Sequence, residues 1–409
     1  MTVSGDLRRV LLTWEMGLNL GHLASIQPLA KRLLAQGCQV LVAARQVDNA
    51  AELLGKHGIP YVQAPSLPRP RQMLSSIAGY ADILYFDGWG DGAALSWKIN
   101  AWMKLFDAFR PDLVVLDHSP TAYLAARIGG IPAVAVGNGF ELPPLSKPLP
   151  PFPGLSWATA AAAEHSELRV LAGVNQVLKG FGAPTCDSLA SVFCEQQRIL
   201  TTVPELDHYM PRSDAHYSGP LLAWTGVERV DWPHGNRKRV FAYLRKASCD
   251  VEVVLQALAL SGVSAICFVP ESDTGLLQSR AGPRIRVVSK PVDLEFLVKT
   301  SDACVVYSAV GTAHRFLFAG VPLLLMPRTV EAQMGARKIE QLGAGVVVRG
   351  KLPATALAML VQRVVGQDRY RLCARAFAQR YAQLSLPDVA DDITRILLSR
   401  LPAKHQLPV

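Results

Sequence analysis

A histidine that opens a helix and an aspartate that closes a strand are the two residues of this chain whose placement most directly suggests chemistry. His22 follows Gly21 just after the apolar stretch 10–14, and Asp117 ends the apolar stretch 113–116. If both stretches are parallel strands of one sheet, the loops after them leave from the same edge. An imidazole and a carboxylate can then meet as a general base and the group that fixes its tautomer. Each alone has a plainer role: His22 capping backbone groups, and Asp117 capping a helix that begins at Ser119-Pro120. Gly21 would let a ligand come close to the backbone. His118 is a rival base, but its side chain should point away from that of Asp117 if strand geometry persists past 117.

A second constellation lies in the other half of the chain. Gly311-Thr312 follows the apolar stretch 304–307 and opens a helix, where free amides, a positive dipole end and a threonine hydroxyl suit a diphosphate. The plainer alternative is a glycine turn with a helix cap. Arg245 and Lys246, after the stretch 239–244, and His314 and Arg315, expected in the first turn of the 311 helix, could add charge-assisted hydrogen bonds or be ordinary surface charges. Trp14, Trp89, Trp97 and Trp102 lie in or near the loops on the His22 side; Trp97 and Trp102, sharing a helix, are expected in the core and the other two beside a pocket. No Asp-x-Asp and no spaced carboxylate-histidine set occurs, so no catalytic metal is expected.

The elements that must position these residues follow from periodicity. Strands are expected at 10–14, 40–44, 61–64, 113–116 and 133–136, with helices at 23–36, 47–57, 95–109 and 122–128 between them, a β-α-β alternation that implies a parallel sheet. Residues 65–92 are Pro- and Gly-rich and expected to be irregular; 157–180 and 187–196 have helical patterns, and 199–203 is expected to be the last strand of this domain. The alternation restarts with strands at 239–244, 265–269, 285–288, 304–307, 321–326 and 346–348 and helices at 251–261, 294–300, 311–319 and 332–342; the rest is helical to about 401.

Composition sets the outer bounds. The chain has 409 residues, half of them hydrophobic, enough for two cores rather than one. Seven scattered cysteines without a Cys-x-x-Cys pair argue for reduced thiols, and the N-terminal residues lack a signal-peptide pattern, so a cytoplasmic protein is expected. The net charge of +9 suits an anionic ligand, or weak association with an acidic membrane surface, but is not concentrated in a run that would suit nucleic acid.

Taken together these residues resemble the family 1 nucleotide-sugar-dependent glycosyltransferases. The shared motifs span nearly the whole chain: Gly21-His22-Leu23, the strand ending at Asp117, Tyr217-Ser218-Gly219-Pro220-Leu221, Ser301-Asp302-Ala303, Gly311-Thr312, Ala319-Gly320-Val321-Pro322 and Gln341-Leu342-Gly343-Ala344-Gly345. The resemblance implies an α/β chain of the GT-B fold, two Rossmann-like doubly wound domains facing a central cleft. The expected ranges are 1–225 for an acceptor-binding domain, with the helix 386–409 packing back on it, and 236–385 for a nucleotide-sugar domain. It further implies inverting transfer of a sugar to a hydroxyl of a small-molecule or lipid-like acceptor, with His22 as base and Asp117 supporting it. No resident cofactor is implied, since the nucleotide sugar is a co-substrate. Donor contacts would come from Arg245, Val292, Tyr307, Ser308, Gly311, Thr312, Arg315 and Glu331, and acceptor contacts from Trp14, Asn19, Trp89 and Asn138.

The sequence departs from the family on the donor side. Where members carry His-Gly-Gly-x-Gly-Thr, this chain has Tyr307-Ser308-Ala309-Val310-Gly311-Thr312, so the phosphate-touching imidazole is replaced by Tyr307. Arg315 stands where many members have a ribose-binding Glu, and Ser289 where an aromatic ring often stacks on the base. Thymidine, uridine and guanosine diphosphates all remain open as donors. Two other functions share the plan: a nucleotide-sugar epimerase or hydrolase, which needs no separate acceptor, and a catalytically silent relative acting as a partner protein. A dinucleotide oxidoreductase is disfavoured, because Gly-x-Gly-x-x-Gly is absent after either opening strand.

Overall fold

The computed structural model describes residues 8–402 apart from 18–20, 68–76, 213–214, 223–228, 236, 247–248, 271 and 308–309. The chain divides into two compact units, Met1–Ala223 with Leu386–Val409, and Trp224–Ser385.

In the first unit the order is β1 (Arg9–Trp14), α1 (Gly21–Ala35), β2 (Gln39–Ala44), α2 (Val47–Leu53), β3 (Tyr61–Gln63), α3 (Tyr80–Leu84), α4 (Gly92–Phe109), β4 (Leu113–Asp117), α5 (Pro120–Ile128), β5 (Ala133–Gly137), α6 (Ala160–Gly180), α7 (Leu189–Phe193), β6 (Gln197–Leu200) and β7 (His216–Tyr217). These strands form one parallel sheet in the order β3-β2-β1-β4-β5-β6-β7. Apolar residues on both faces of the central strands, such as Leu11, Leu12, Val114 and Val115, leave them wholly buried, as a parallel sheet covered by helices requires.

Two expectations are corrected here. Residues 65–92 are not irregular throughout: Tyr80–Leu84 is helical and runs into a wide turn, Tyr85–Trp89, because the buried Asp82 accepts the Ala78 and Gly79 amides and closes the helix start. Nor is the 199–203 strand the last. His216–Tyr217 adds a seventh, anchored by the Tyr217 hydroxyl, which donates to the fully buried Asp207 at 2.8 Å while Arg212 donates to the same carboxylate at 3.0 Å. That network gives the Tyr217-Ser218-Gly219 motif a fold-forming role.

The second unit holds β8 (Arg239–Tyr243), α8 (Val251–Ser261), β9 (Ser264–Phe268), α9 (Thr274–Ala281), β10 (Ile285–Val288), α10 (Leu294–Thr300), β11 (Ala303–Val306), α11 (Val310–Phe318), β12 (Leu323–Leu325), α12 (Val330–Gln341), β13 (Gly345–Val347), α13 (Ala354–Gly366) and α14 (Asp368–Arg380). Its sheet is also parallel, ordered β10-β9-β8-β11-β12-β13. The helix Thr274–Ala281 is absent from the sequence-based assignment; it is short and weakly amphipathic, and its start is marked only by Asp273 accepting the Leu276 amide. In the Ser301-Asp302-Ala303 motif, Asp302 accepts the Arg239 amide at 2.9 Å and Arg371 at 2.7 Å, tying β11 to β8 and α14.

The final helix, α15 (Leu386–Ser399), belongs to the first unit and packs on α1. Ile393 and Leu397 are fully buried there, and Arg32 of α1 pairs with Asp391. Among the described residues no helix is long and apolar enough to cross a membrane.

Candidate active site

Strand register brings the first pair together. Trp14, the last residue of β1, lies directly across from Asp117, the last of β4. The chain then returns to α1, whose second residue is His22. Its ring stacks on Trp14 at 5.3 Å between centroids and 21° between planes, and its Nδ1 stands 2.6 Å from Asp117 Oδ1. With Nδ1–H donating to the carboxylate, Nε2 is the unprotonated ring nitrogen, and the side chain keeps 18% exposure. Gly17 makes the arrangement possible. Its φ is +88°, and a Cβ there would fall 2.7 Å from His22 Nε2. The sequence did not point to Gly17 for this; the space beside Gly21, where a ligand's approach to the backbone was expected, is open.

The loop ends are clamped from beneath. The Met16 amide donates to the His118 carbonyl at 3.2 Å, linking the segments that leave β1 and β4. Glu15, completely buried, accepts the Trp102 indole N–H at 2.9 Å and the Thr121 amide at the start of α5. Lys98, 1% exposed, pairs with Asp87 and lies 3.9 Å from Glu15. Burial raises the Glu15 carboxyl above its ordinary value while Lys98 opposes the rise.

His118 departs from expectation. Strand geometry ends at Asp117, and His118 takes a left-handed backbone, φ 45°, which turns its ring to 6.0 Å from that of His22 instead of away. Burial pushes its pKa down to about 3, so it is a neutral imidazole at physiological pH, and its Nε2 is buried without a partner among the described residues. Glu141, in the turn after β5, places Oε1 3.9 Å from His22 Nδ1. Asn138 belongs to that turn, its amide donating to Glu141 and its Oδ1 accepting the Phe140 amide at 2.8 Å. A small recess of ≈ 20 Å³, room for about one water, opens beside them, lined by Tyr80, His118, Glu141, Leu142, Leu145 and Phe193 among others.

One donor atom each from His22, His118 and Glu141 lies within 4.8 Å of the others, a grouping that spacing in the sequence does not announce. Donors on one tetrahedral zinc stand about 3.3 Å apart. His22 Nδ1 already bonds Asp117, so in this ring Nε2 is the nitrogen that a metal ion would use.

The remaining acceptor-side expectations fare differently. Trp14 is fully buried and backs the His22 ring. Trp89 is also enclosed, its indole donating to Thr121 Oγ1 at 3.1 Å, so it packs the core and offers no face to a ligand. Trp97, expected in the core, is 52% exposed, whereas Trp102 is buried; five helical positions turn them about 140° apart. Asn19 lies outside the described residues.

In the second unit Gly311 and Thr312 sit in the first turn of α11, at the carboxyl end of β11, with Gly311 exposed and Thr312 partly so. Tyr307 and Arg245 share a side-chain hydrogen bond, and Tyr307 packs edge-on against Tyr243 at 5.1 Å. Burial, foremost, raises the Tyr307 phenol. Glu331 lies in the first turn of α12, and Val292 is buried. Ser308 is outside the described residues. His314 and Arg315 are not first-turn surface cations: α11 starts at Val310, and both are buried. Burial lowers His314 to about 4, leaving it uncharged at neutral pH, so it cannot stand in for the missing cation. Arg315 lies near the charge of Glu295.

Solved structures similar to this one share its two-sheet plan. Glycosyltransferase VinC in complex with DTDP superposes with a TM-score of 0.66 at 18% identity, covering 96% of this chain and 100% of that one. SnogD from Streptomyces nogalater gives 0.63 at 19%, with 96% and 100% covered. Residues 252–396 match the family described as "Erythromycin biosynthesis protein CIII-like, C-terminal domain". Over 312 residues, 71% of each chain, there is 25% identity to a PGL/p-HBAD biosynthesis glycosyltransferase of Mycobacterium tuberculosis (strain ATCC 25177 / H37Ra). The chain has the GT-B fold and is a glycosyltransferase. This glycosyltransferase is also 24% identical, over 330 residues, to a PGL/p-HBAD biosynthesis rhamnosyltransferase of Mycobacterium bovis (strain BCG / Pasteur 1173P2), covering 74% of the enzyme and 72% of the relative.

The sequence passed over three contributors to the enzyme's site: Gly17, Glu15 and Glu141. A glycine three residues past a strand and an acid directly after it were available signals for the first two. Glu141 had none, because a turn residue's aim depends on the turn.

Proposed function

We propose that this glycosyltransferase moves a sugar, with inversion, from a nucleoside diphosphate donor to a hydroxyl of a small-molecule or lipid-like acceptor. The observation that carries the reading is the 2.6 Å contact of His22 Nδ1 with Asp117, in an imidazole whose side chain is 18% exposed. The acceptor O–H proton passes to Nε2 as its oxygen bonds the anomeric carbon. The anomeric C–O bond breaks, and the nucleoside diphosphate leaves with the electron pair. Asp117 holds the tautomer and stabilises the imidazolium.

On the donor side, the start of α11 at Gly311-Thr312 and the Arg245–Tyr307 pair supply amides, hydroxyls and one cation for the diphosphate. Glu331, at the start of α12, is assigned to the sugar hydroxyls. A thymidine diphosphate donor ranks first, supported by the VinC complex with DTDP and by the rhamnosyltransferase SpnG complexed with thymidine diphosphate. A small-molecule acceptor is supported by SpnG complexed with spinosyn aglycone, a protein of the same fold.

Thermal unfolding with thymidine, uridine and guanosine diphosphates in turn tests the donor assignment. Stabilisation by thymidine diphosphate above the other two is expected. No stabilisation by any of them would favour the silent partner protein.

A further inference from the structure

Glu141 is a buried carboxylate with a prepared seat. It lies in the turn after β5, with 6% of its side chain exposed, and Gly137 at the end of that strand makes room for it: a Cβ at 137 would fall 2.2 Å from Oε2. Closing the turn does not account for the placement. Its bonds from the Asn138 amide and side chain are long, 3.3 and 3.4 Å, whereas Oε1 reaches to 3.9 Å from the same His22 nitrogen that bonds Asp117. Three neighbouring strand ends, those of β1, β4 and β5, thus send an imidazole and two carboxylates to one point.

We propose that Glu141 is a positioning residue for His22, a second negative charge that acts with Asp117 to orient the imidazole and stabilise its protonated form. This rests on the reading of His22 as the base. The other groups around the ring do not duplicate the role. His118 is neutral, and burial followed by the Glu141 charge keeps the Tyr80 phenol protonated. Arg45 donates to the Glu15 carbonyl and opposes protonation of His118, and the buried Glu15 carboxylate is committed to Trp102 and Thr121. Both carboxylates favour the imidazolium, so removing either one weakens it.

The test uses the full chain and two readouts: the pH profile of kcat/KM for transfer, and the NMR titration of the His22 ring, assigned by the resonance lost in His22→Gln. Glu141→Gln keeps the shape of the side chain and removes its charge. Both the acid limb and the NMR midpoint are expected to move down by about 1 pH unit, with Glu141→Asp restoring part of the shift. A residue that merely closed the turn would alter stability and leave both midpoints in place. Midpoints within about 0.2 units of the unmodified protein, in a folded variant, overturn the proposal. If the NMR midpoint moves and the acid limb does not, the influence of Glu141 on the ring stands and the assignment of His22 as base fails.

Discussion

Lys98→Met removes the ammonium that pairs with Asp87 and lies 3.9 Å from Glu15 while keeping the length and burial of the side chain. At 3.9 Å, with an effective dielectric near 20, the attraction between Lys98 and Glu15 is about 4 kcal/mol, and removing one partner of a buried set costs about 3–5 kcal/mol. In a unit of this size that lowers the melting temperature by roughly 6–20 °C. The loss must depend on pH. Burial raises the folded-state pKa of Glu15 above its unfolded value, and without Lys98 it rises further. Protonation of Glu15 therefore favours the fold: that contribution is complete below the unfolded pKa and disappears as pH rises through the folded one. The deficit of Lys98→Met should be largest near pH 8 and shrink toward pH 5. Urea unfolding at several pH values measures it. Glu15→Gln in the same chain should restore much of the loss at pH 8, because the amide still accepts from Trp102 or Thr121 without a charge. A deficit below about 1 kcal/mol, or one equal at both pH values, refutes the reasoning.

Two further perturbations address the frame of the site. Gly17→Ala introduces a methyl 2.7 Å from His22 Nε2 at a φ of +88°, so kcat should fall by about 100-fold while stability falls by only about 1–2 kcal/mol. Steady-state rates beside a melting curve check it, and a normal rate would show that the ring need not stand over Gly17. Leu397→Ala empties a fully buried position in α15 and should cost about 2–5 kcal/mol, measurable by urea unfolding. A negligible loss would mean that the final helix contributes little to holding α1.

Most of the strand and helix alternation was legible because both sheets are parallel, and buried parallel strands leave short, unbroken apolar runs. The His22–Asp117 pair was legible for the same reason: each residue ends or follows such a run, and the sheet edge does the rest. What escaped depends on backbone angles and side-chain aim. His118 turns toward His22 through a left-handed φ that no residue type at that position announces. Trp14 and Trp89 sit near loops in the sequence but at the base of those loops in space, where burial is complete. His314 and Arg315 were assigned one turn too early in their helix, which exchanged an exposed face for a buried one.

The central claim is that His22 takes the acceptor proton. The most direct measurement compares the initial rate of glycoside formation by the unmodified enzyme and by His22→Ala, using a thymidine diphosphate sugar and a hydroxyl acceptor, with the variant's folding and thymidine diphosphate binding checked in parallel. A rate at least about 100-fold lower with nucleotide binding intact is the expected result. A folded His22→Ala variant that keeps transfer within about threefold of the original rate would contradict it.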